Sequence, residues 1–140
     1  MDSLKTITIL FRAQKSLENL IKHDIKKYGL NPSEFGVLEA LYHKGALSIK
    51  EITEKVLMPN SSMSYVVDTL MKKSYISKKA SKSDKRLFIV ALKPQGKRLM
   101  DEIYPKHVAQ LRKVLNGLSL EEETALQQYL KVIGKLGEAL

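Results

Sequence analysis

The chain contains no cysteine among its 140 residues. This absence excludes disulfide bonds, zinc sites with thiolate ligands and redox sensing through a thiol. No run of apolar residues approaches the roughly 18 that a membrane span needs. Asp2, Lys5 and Arg12 interrupt the apolar residues of the N-terminus, which is not the pattern of a secretory signal. We therefore expect a soluble, cytoplasmic protein with no membrane partner.

Motifs for catalysis or metal binding are also missing. The histidines His23, His43 and His107 fall on three different predicted helices without His-x-x-x-His spacing, and there is no glycine-rich phosphate loop. The alternative is a metal site that combines these histidines with Glu18 or Asp24, but isolated histidines rarely converge on one ion. We predict no catalytic residues, no metal and no cofactor, and hence a protein that is not an enzyme.

Acidic residues are scarce in the segment that holds most of the charge. The formal net charge is +9 and the isoelectric point is about 9.6. From Lys72 to Arg86 there are seven basic side chains and one acid, Asp84. Such a concentration favours a polyanionic partner, because charge that served only solubility would be spread evenly. Nucleic acid is the first candidate and an anionic membrane surface is the second.

Local signals predict a series of helices within one domain, residues 1–140. Apolar residues at helical spacing predict a first helix over residues 4–25. The capping box Asn31-Pro32-Ser33-Glu34 begins a second helix, which should end where Gly45 takes the left-handed conformation. A second capping box, Ser48-Ile49-Lys50-Glu51, begins a short third helix that Pro59 limits.

A fourth helix is predicted from Asn60, because apolar residues return at Met63, Val66, Val67 and Leu70. Two short helices joined by a tight turn are typical of a helix-turn-helix. The small polar residues at the start of the second helix could contact base edges in a major groove. The alternative is a solvated polar face on which Asn60 serves only as a cap. The candidate recognition residues are Asn60, Ser61, Ser62, Ser64, Tyr65 and Thr69.

Beyond Ser74 the pattern changes to two strands, over residues 75–80 and 87–92, joined by a basic, turn-like tip at Ser81–Lys85. Asp84 and Arg86 are two residues apart, so on an extended strand both would point to one face. The carboxylate could then hold the guanidinium for insertion into a narrow minor groove. The alternative is an exposed ion pair worth under about 1 kcal/mol. The candidate wing residues are Lys82, Asp84, Lys85 and Arg86.

The lysines near these elements are predicted to bind phosphate groups, which gives affinity and salt dependence without sequence choice. They are Lys72, Lys73, Lys78 and Lys79.

Two helical regions complete the chain. One begins at Pro94 and contains Pro105, which should kink it, and the other begins at a third capping box, Ser119-Leu120-Glu121-Glu122. A monomer of this size could hardly cover the apolar stripes of both terminal regions. We therefore infer that these regions pair with a second copy of the chain.

Three motifs in this order resemble the MarR family of bacterial winged helix-turn-helix regulators. They are Val66-Val67-Asp68-Thr69-Leu70-Met71-Lys72-Lys73 leading into Tyr75-Ile76, Asp84-Lys85-Arg86, and Leu92-Lys93-Pro94-Gln95-Gly96-Lys97. The similarity extends over nearly the whole chain. It implies a mainly α fold with a small β-wing, in which a winged helix-turn-helix core at 31–93 lies between dimerisation helices at 1–29 and 94–140.

The resemblance also implies a function. Regulators of this family are homodimers that place recognition helices in consecutive major grooves of a palindrome and wings in the minor groove, and a small ligand usually relieves repression. Arg86 would have the minor-groove role and Asp84 would orient it. Lys93 departs from the family's usual threonine cap, so Pro94 would set the helix start instead.

The ligand of such a regulator is also constrained. Without cysteine the peroxide-sensing branch is excluded, which leaves a phenolic or other aromatic effector bound in a crevice. Phe11, Phe35 and Tyr42 could line this crevice or could equally be ordinary core residues. Two alternatives stay open: a non-specific nucleic-acid-binding or architectural protein, and a zinc-responsive regulator.

Overall fold

A computed structural model describes residues 1–56 and 62–140 of the chain. It divides into two compact units, residues 1–107 and 108–140. The described elements are, in order, α1 (Lys5–Lys26), α2 (Pro32–Lys44), β1 (Leu47–Ser48), α3 (Ile49–Lys55), α4 (Met63–Lys72), β2 (Ile76–Ala80), β3 (Phe88–Leu92), α5 (Pro94–Leu115) and α6 (Leu120–Ala139). The predicted fold, mainly α with a small β-wing, is confirmed.

The three predicted capping boxes all form. At α2 the Asn31 Oδ1 atom accepts the backbone N–H of Glu34 at 2.8 Å, and Glu34 Oε1 accepts the N–H of Asn31 at 3.1 Å. Ser48 and Ser119 make the same reciprocal bonds at the starts of α3 and α6. Each cap satisfies helix-end amides that would otherwise lack a partner, an effect worth about 1 kcal/mol.

A three-stranded antiparallel sheet packs against the helices, with strand order β1-β3-β2. β2 and β3 pair from Ile76 with Leu92 to Ala80 with Phe88, and each begins one residue later than predicted. β1 pairs Leu47 with Val90. The sequence did not indicate β1, because a two-residue strand is too short to display alternation.

The core of the first unit lies between α2, α3, α4 and the sheet. Val66, Val67 and Leu70 of α4 are buried, as their helical spacing predicted. The other core residues include Ile25, Phe35, Val37, Leu38, Leu41, Ile52, Ile76, Val90, Met100 and Ile103. The predicted start of the fourth helix at Asn60 lies outside the described residues, and the described part of α4 begins at Met63 after the N-cap residue Ser62.

The second unit contains the end of α5 and all of α6. Arg112 donates to both carboxylate oxygens of Glu123, at 2.6 and 3.5 Å, and so fixes the turn between the two helices. None of the residues of α6 is buried. Upstream, α5 continues through Pro105, and the kink expected there stays a prediction. Within residues 1–56 and 62–140, no helix has the length and hydropathy that crossing a membrane requires.

Candidate nucleic-acid interface

The recognition-helix candidates that the structure describes lie at the N-cap and on the outer face of α4. Because Val66, Val67 and Leu70 fix the opposite face in the core, Ser62, Ser64 and Tyr65 are exposed and Thr69 is half-buried. The Thr69 hydroxyl donates to the carbonyl oxygen of Tyr65 at 3.0 Å, so its proton is already used within the helix. Asn60 and Ser61 lie outside the described residues.

The C-terminal end of α4 is closed by a Schellman motif. The N–H of Tyr75 donates to the carbonyl of Leu70 at 3.1 Å, and the N–H of Ser74 donates to that of Met71 at 2.9 Å. Ser74 has φ 65°, the left-handed conformation that this motif requires. The chain therefore leaves α4 in one defined direction and enters β2.

The same backbone turn contacts the start of α5. The carbonyl of Tyr75 accepts the N–H of Lys93 at 2.9 Å, and a Cβ atom added to Gly96 would lie 2.2 Å from that carbonyl oxygen. Only glycine allows this approach. The contact gives a physical reason for the glycine in the Leu92–Lys97 motif, and it fixes the end of α4 relative to α5.

The tip between β2 and β3 brings Asp84 and Arg86 together. The Asp84 Oδ1 atom accepts both the backbone N–H of Arg86 at 3.0 Å and its Nε–H at 3.2 Å, and Oδ2 lies 3.5 Å from Nη2. The predicted contact is confirmed. Asp84 and Arg86 do not share an extended strand, because the N–H of Leu87 donates to the carbonyl of Asp84 at 3.0 Å and closes a turn between the two strands.

This turn leaves the Arg86 side chain 91% exposed even though it is paired. The backbone N–H of Arg86, together with its guanidinium, lowers the pKa of Asp84 from its ordinary value. The acid therefore stays ionised and keeps orienting the guanidinium. Lys82 and Lys85, the other two wing candidates, are exposed on either side of Asp84.

The four lysines predicted to bind phosphates differ in their surroundings. Lys72 and Lys79 are exposed, and within the described residues neither ammonium group has a hydrogen bond or ion pair. The Lys78 Nζ atom lies 4.9 Å from the ring centre of Phe88 and 4.0 Å from an Asp68 carboxylate oxygen. Lys73 is bound to Glu34 at 2.6 Å. Two of the four lysines thus have partners inside the protein, and the other two have none among the described residues.

The effector-pocket candidates are not all in one place. Phe35 is buried with its ring centre 4.6 Å from that of His107. Tyr42 is half-buried and donates its hydroxyl to Asp101 at 2.7 Å. Phe11 is exposed on α1, and among the described residues it has no ring contact with the other two.

One buried polar pair was not predicted from the sequence. His107 Nδ1 lies 2.7 Å from Asp24 Oδ2, and Lys27 lies 3.1 Å from the other oxygen of Asp24. A signal for it existed, since His107 follows the buried Met100 and Ile103 at helical spacing on α5. His23 and His43 are exposed on other helices, and in the described part of the chain no three metal-ligating side chains form a cluster.

Comparisons with known proteins agree with this architecture. The sequence model of the MarR family matches residues 30–88. The HTH-type transcriptional regulator MhqR of Bacillus subtilis (strain 168) is 39% identical over 132 residues, which cover 94% of this chain and 91% of MhqR. Such relatives are transcriptional regulators, which confirms the prediction that the chain is not an enzyme.

Two solved structures have the same fold. The MarR family regulator Sco3205 from Streptomyces coelicolor, solved in complex with DNA, has a TM-score of 0.84 and 21% identity, with 93% of this chain and 84% of Sco3205 covered. BpsR of Bordetella bronchiseptica has a TM-score of 0.80 and 22% identity, with 93% and 98% covered. The extent of the match to MhqR, together with this fold, establishes that the chain belongs to the MarR family of DNA-binding transcriptional regulators.

Proposed function

We propose that the protein is a ligand-responsive repressor that binds a palindromic operator as a homodimer. The main support is the pairing of Asp84 with Arg86, which holds an exposed guanidinium in one orientation at the tip of the wing. Arg86 enters the minor groove of the operator. A narrow minor groove has a strongly negative potential, which attracts the guanidinium. Lys82 and Lys85 flank it and strengthen this contact.

The outer face of α4 reads bases in the adjacent major groove. Ser62, Ser64 and Tyr65 present short hydroxyls and one phenol from the N-terminal part of this helix, which is the part that reaches base edges in helix-turn-helix proteins. Asn60 and Ser61 precede it in sequence and belong to the same proposed surface, as does Thr69. Lys72 at the end of α4 and Lys79 on β2 bind phosphate groups of the DNA backbone.

Two copies of the chain pair through their terminal helices. The described chain leaves large apolar side chains of both regions exposed: Leu4, Ile7, Ile9, Phe11 and Leu17 at the N-terminus, and Leu120, Leu126, Tyr129, Leu130, Val132, Ile133 and Leu136 in α6. A monomer rarely exposes so much apolar surface. A second copy supplies a matching surface under two-fold symmetry, and that symmetry requires a palindromic operator.

A small aromatic or phenolic effector controls DNA binding in this proposal. Tyr42 of α2 contacts Tyr104 of α5, and the ring of His107 connects Tyr104 to Phe35 of α2, so the three aromatic residues belong to one group of ring contacts. DNA binding by BpsR is regulated by 6-hydroxynicotinic acid, which supports a small-molecule effector here. A zinc-responsive mechanism has no such support, because the described residues contain no cluster of metal ligands.

Selection of bound sequences from random double-stranded DNA tests the proposal. We expect a palindrome with half-sites about 34–36 Å apart, bound at least about a thousandfold more tightly than unrelated DNA at physiological salt. Recovery of no common sequence, with equal affinity for all DNA, would favour the architectural alternative.

A further inference from the structure

Lys73 occupies the C-cap of α4 but points back into the protein. Its Nζ atom lies 2.6 Å from Glu34 Oε2 and 3.2 Å from the carbonyl oxygen of Gly29. The Glu34 side chain is 6% exposed and the Lys73 side chain 36% exposed. The end of the recognition helix is thus tied to the start of α2 and to the loop before it.

Glu34 cannot follow Lys73 if that lysine turns outward. Its other oxygen, Oε1, accepts the backbone N–H of Asn31, and its own N–H donates to Asn31 Oδ1. Departure of the ammonium group would therefore leave a fixed, buried carboxylate without its cation, which is strongly unfavourable. The exposed Lys72, one residue earlier, carries no such penalty for binding a phosphate group.

We propose that Lys73 is a positioning residue for sequence recognition and not a phosphate ligand. Its ammonium group fixes the C-terminal end of α4 against Glu34, and so sets the angle at which Ser64 and Tyr65 meet base edges. The inference rests on the proposed role of α4 as the recognition helix. Lys73 would therefore affect specific binding through the position of α4, and it would not itself neutralise the charge of the DNA.

The two roles make opposite predictions for Glu34→Gln. If Lys73 positions α4, both Lys73→Met and Glu34→Gln lower the affinity for the selected operator about tenfold. The double variant then binds the operator as tightly as the single variant with the lower affinity, because both changes remove the same contact. The affinity for unrelated DNA and the salt dependence stay unchanged in all three. If Lys73 binds a phosphate, Glu34→Gln frees the lysine and leaves operator affinity unchanged or higher.

Lys79→Met is the matched control, because Lys79 is exposed and has no internal partner among the described residues. It should weaken operator and unrelated DNA equally and reduce the salt slope by about one. Lys73→Arg keeps a cation that can reach Glu34 and should restore operator affinity to within about threefold of the original. Glu34→Gln retains an oxygen for the Asn31 cap, so the variant is expected to fold.

Fluorescence anisotropy with labelled operator and unrelated DNA, at several salt concentrations, gives these quantities. A reduced salt slope for Lys73→Met, or additive losses in the double variant, would overturn the positioning role. Amide hydrogen exchange of the free protein supplies a second arm that does not depend on any operator. We expect faster exchange at Ser74 and Tyr75 in Lys73→Met and Glu34→Gln, and unchanged exchange there would also overturn the proposal. Absence of specific binding by the unaltered protein would instead count against the proposed function.

Discussion

The imidazole of His107 and the carboxylate of Asp24 form a hydrogen bond of 2.7 Å in which the side chains are only 4% and 3% exposed. The bond joins α5 to α1 across 83 positions of the sequence. Lys27 contacts the second oxygen of Asp24 at 3.1 Å from the solvent side, and Phe35 covers the His107 ring. A buried carboxylate with two donors is satisfied as an anion.

The first prediction concerns the pH dependence that Asp24 gives to stability. Burial alone would raise the pKa of Asp24, but the hydrogen bonds from His107 and Lys27 outweigh it, so the pKa is lowered from its ordinary value. A lowered folded-state pKa contributes stability that is present above the unfolded value, about 3.9, and is lost as the pH falls through the folded value. We expect Asp24→Asn to cost about 1–3 kcal/mol at pH 7, with the difference shrinking below about pH 4.

Urea unfolding of both proteins at pH 7, 5 and 3 measures this difference. Glu102→Gln is a suitable control, because the Glu102 carboxylate is exposed and comes no closer than 4.0 Å to the Lys106 ammonium group. Such an exposed pair contributes little to stability. A cost for Asp24→Asn that is the same at all three pH values would show that the charge of Asp24 is irrelevant to folding.

The second prediction distinguishes the contribution of Arg86 to operator binding from the general attraction between basic residues and DNA. Arg86→Ala should weaken operator binding by about 1–3 kcal/mol, because it removes an oriented group from the minor groove. Lys79→Ala should weaken binding to all DNA about equally and flatten the salt dependence. Competition titrations against operator and unrelated DNA distinguish the two variants. Unchanged operator affinity in Arg86→Ala would remove the minor-groove assignment.

The third prediction concerns the close approach at Gly96. Its added Cβ atom would lie 2.2 Å from the Tyr75 carbonyl oxygen, so Gly96→Ala must displace backbone and should destabilise the protein by about 1–3 kcal/mol. Gln95→Ala lies in the same turn of α5 but is exposed, and should change stability by less than about 0.5 kcal/mol. Thermal unfolding compares the two, and equal stability would show that the chain adjusts there without strain.

The fourth prediction concerns the end of α4. Ser74 has φ 65° in the Schellman motif, a conformation that disfavours residues with a Cβ atom and suits glycine. Ser74→Gly should therefore stabilise the protein by about 0.5–1 kcal/mol. Denaturant unfolding provides the measurement, and a loss of stability would mean that the Ser74 side chain contributes more than the backbone strain costs.

Features that depend on near neighbours in sequence were predictable. The capping boxes at Asn31, Ser48 and Ser119 join residues three positions apart, so they depend only on the local sequence at the start of each helix. The Asp84–Arg86 contact was predictable for the same reason. The turn-like tip was predictable too, since its serines and aspartate lie between two strand patterns, but the hydrogen bond from Leu87 to Asp84 that closes the turn required the structure.

Features that depend on distant partners could not be predicted from composition. Lys72 and Lys73 are identical neighbours in a basic run, and only the fold brings Glu34, 39 positions away, to one of them. The same holds for Asp24 and His107. Sequence therefore located the candidate interface, whereas the division of its lysines into free and internally bound groups required the structure.

None of the residues of α6 is buried within one chain, so in the proposed dimer the stability of this helix would depend on protein concentration. If that helix finds its core only in a second copy, folding of the C-terminal region and assembly are one equilibrium, and dilution favours loss of both. The midpoint of thermal unfolding should then rise with protein concentration. Cellular abundance would set how much of the protein is able to regulate, before any effector acts.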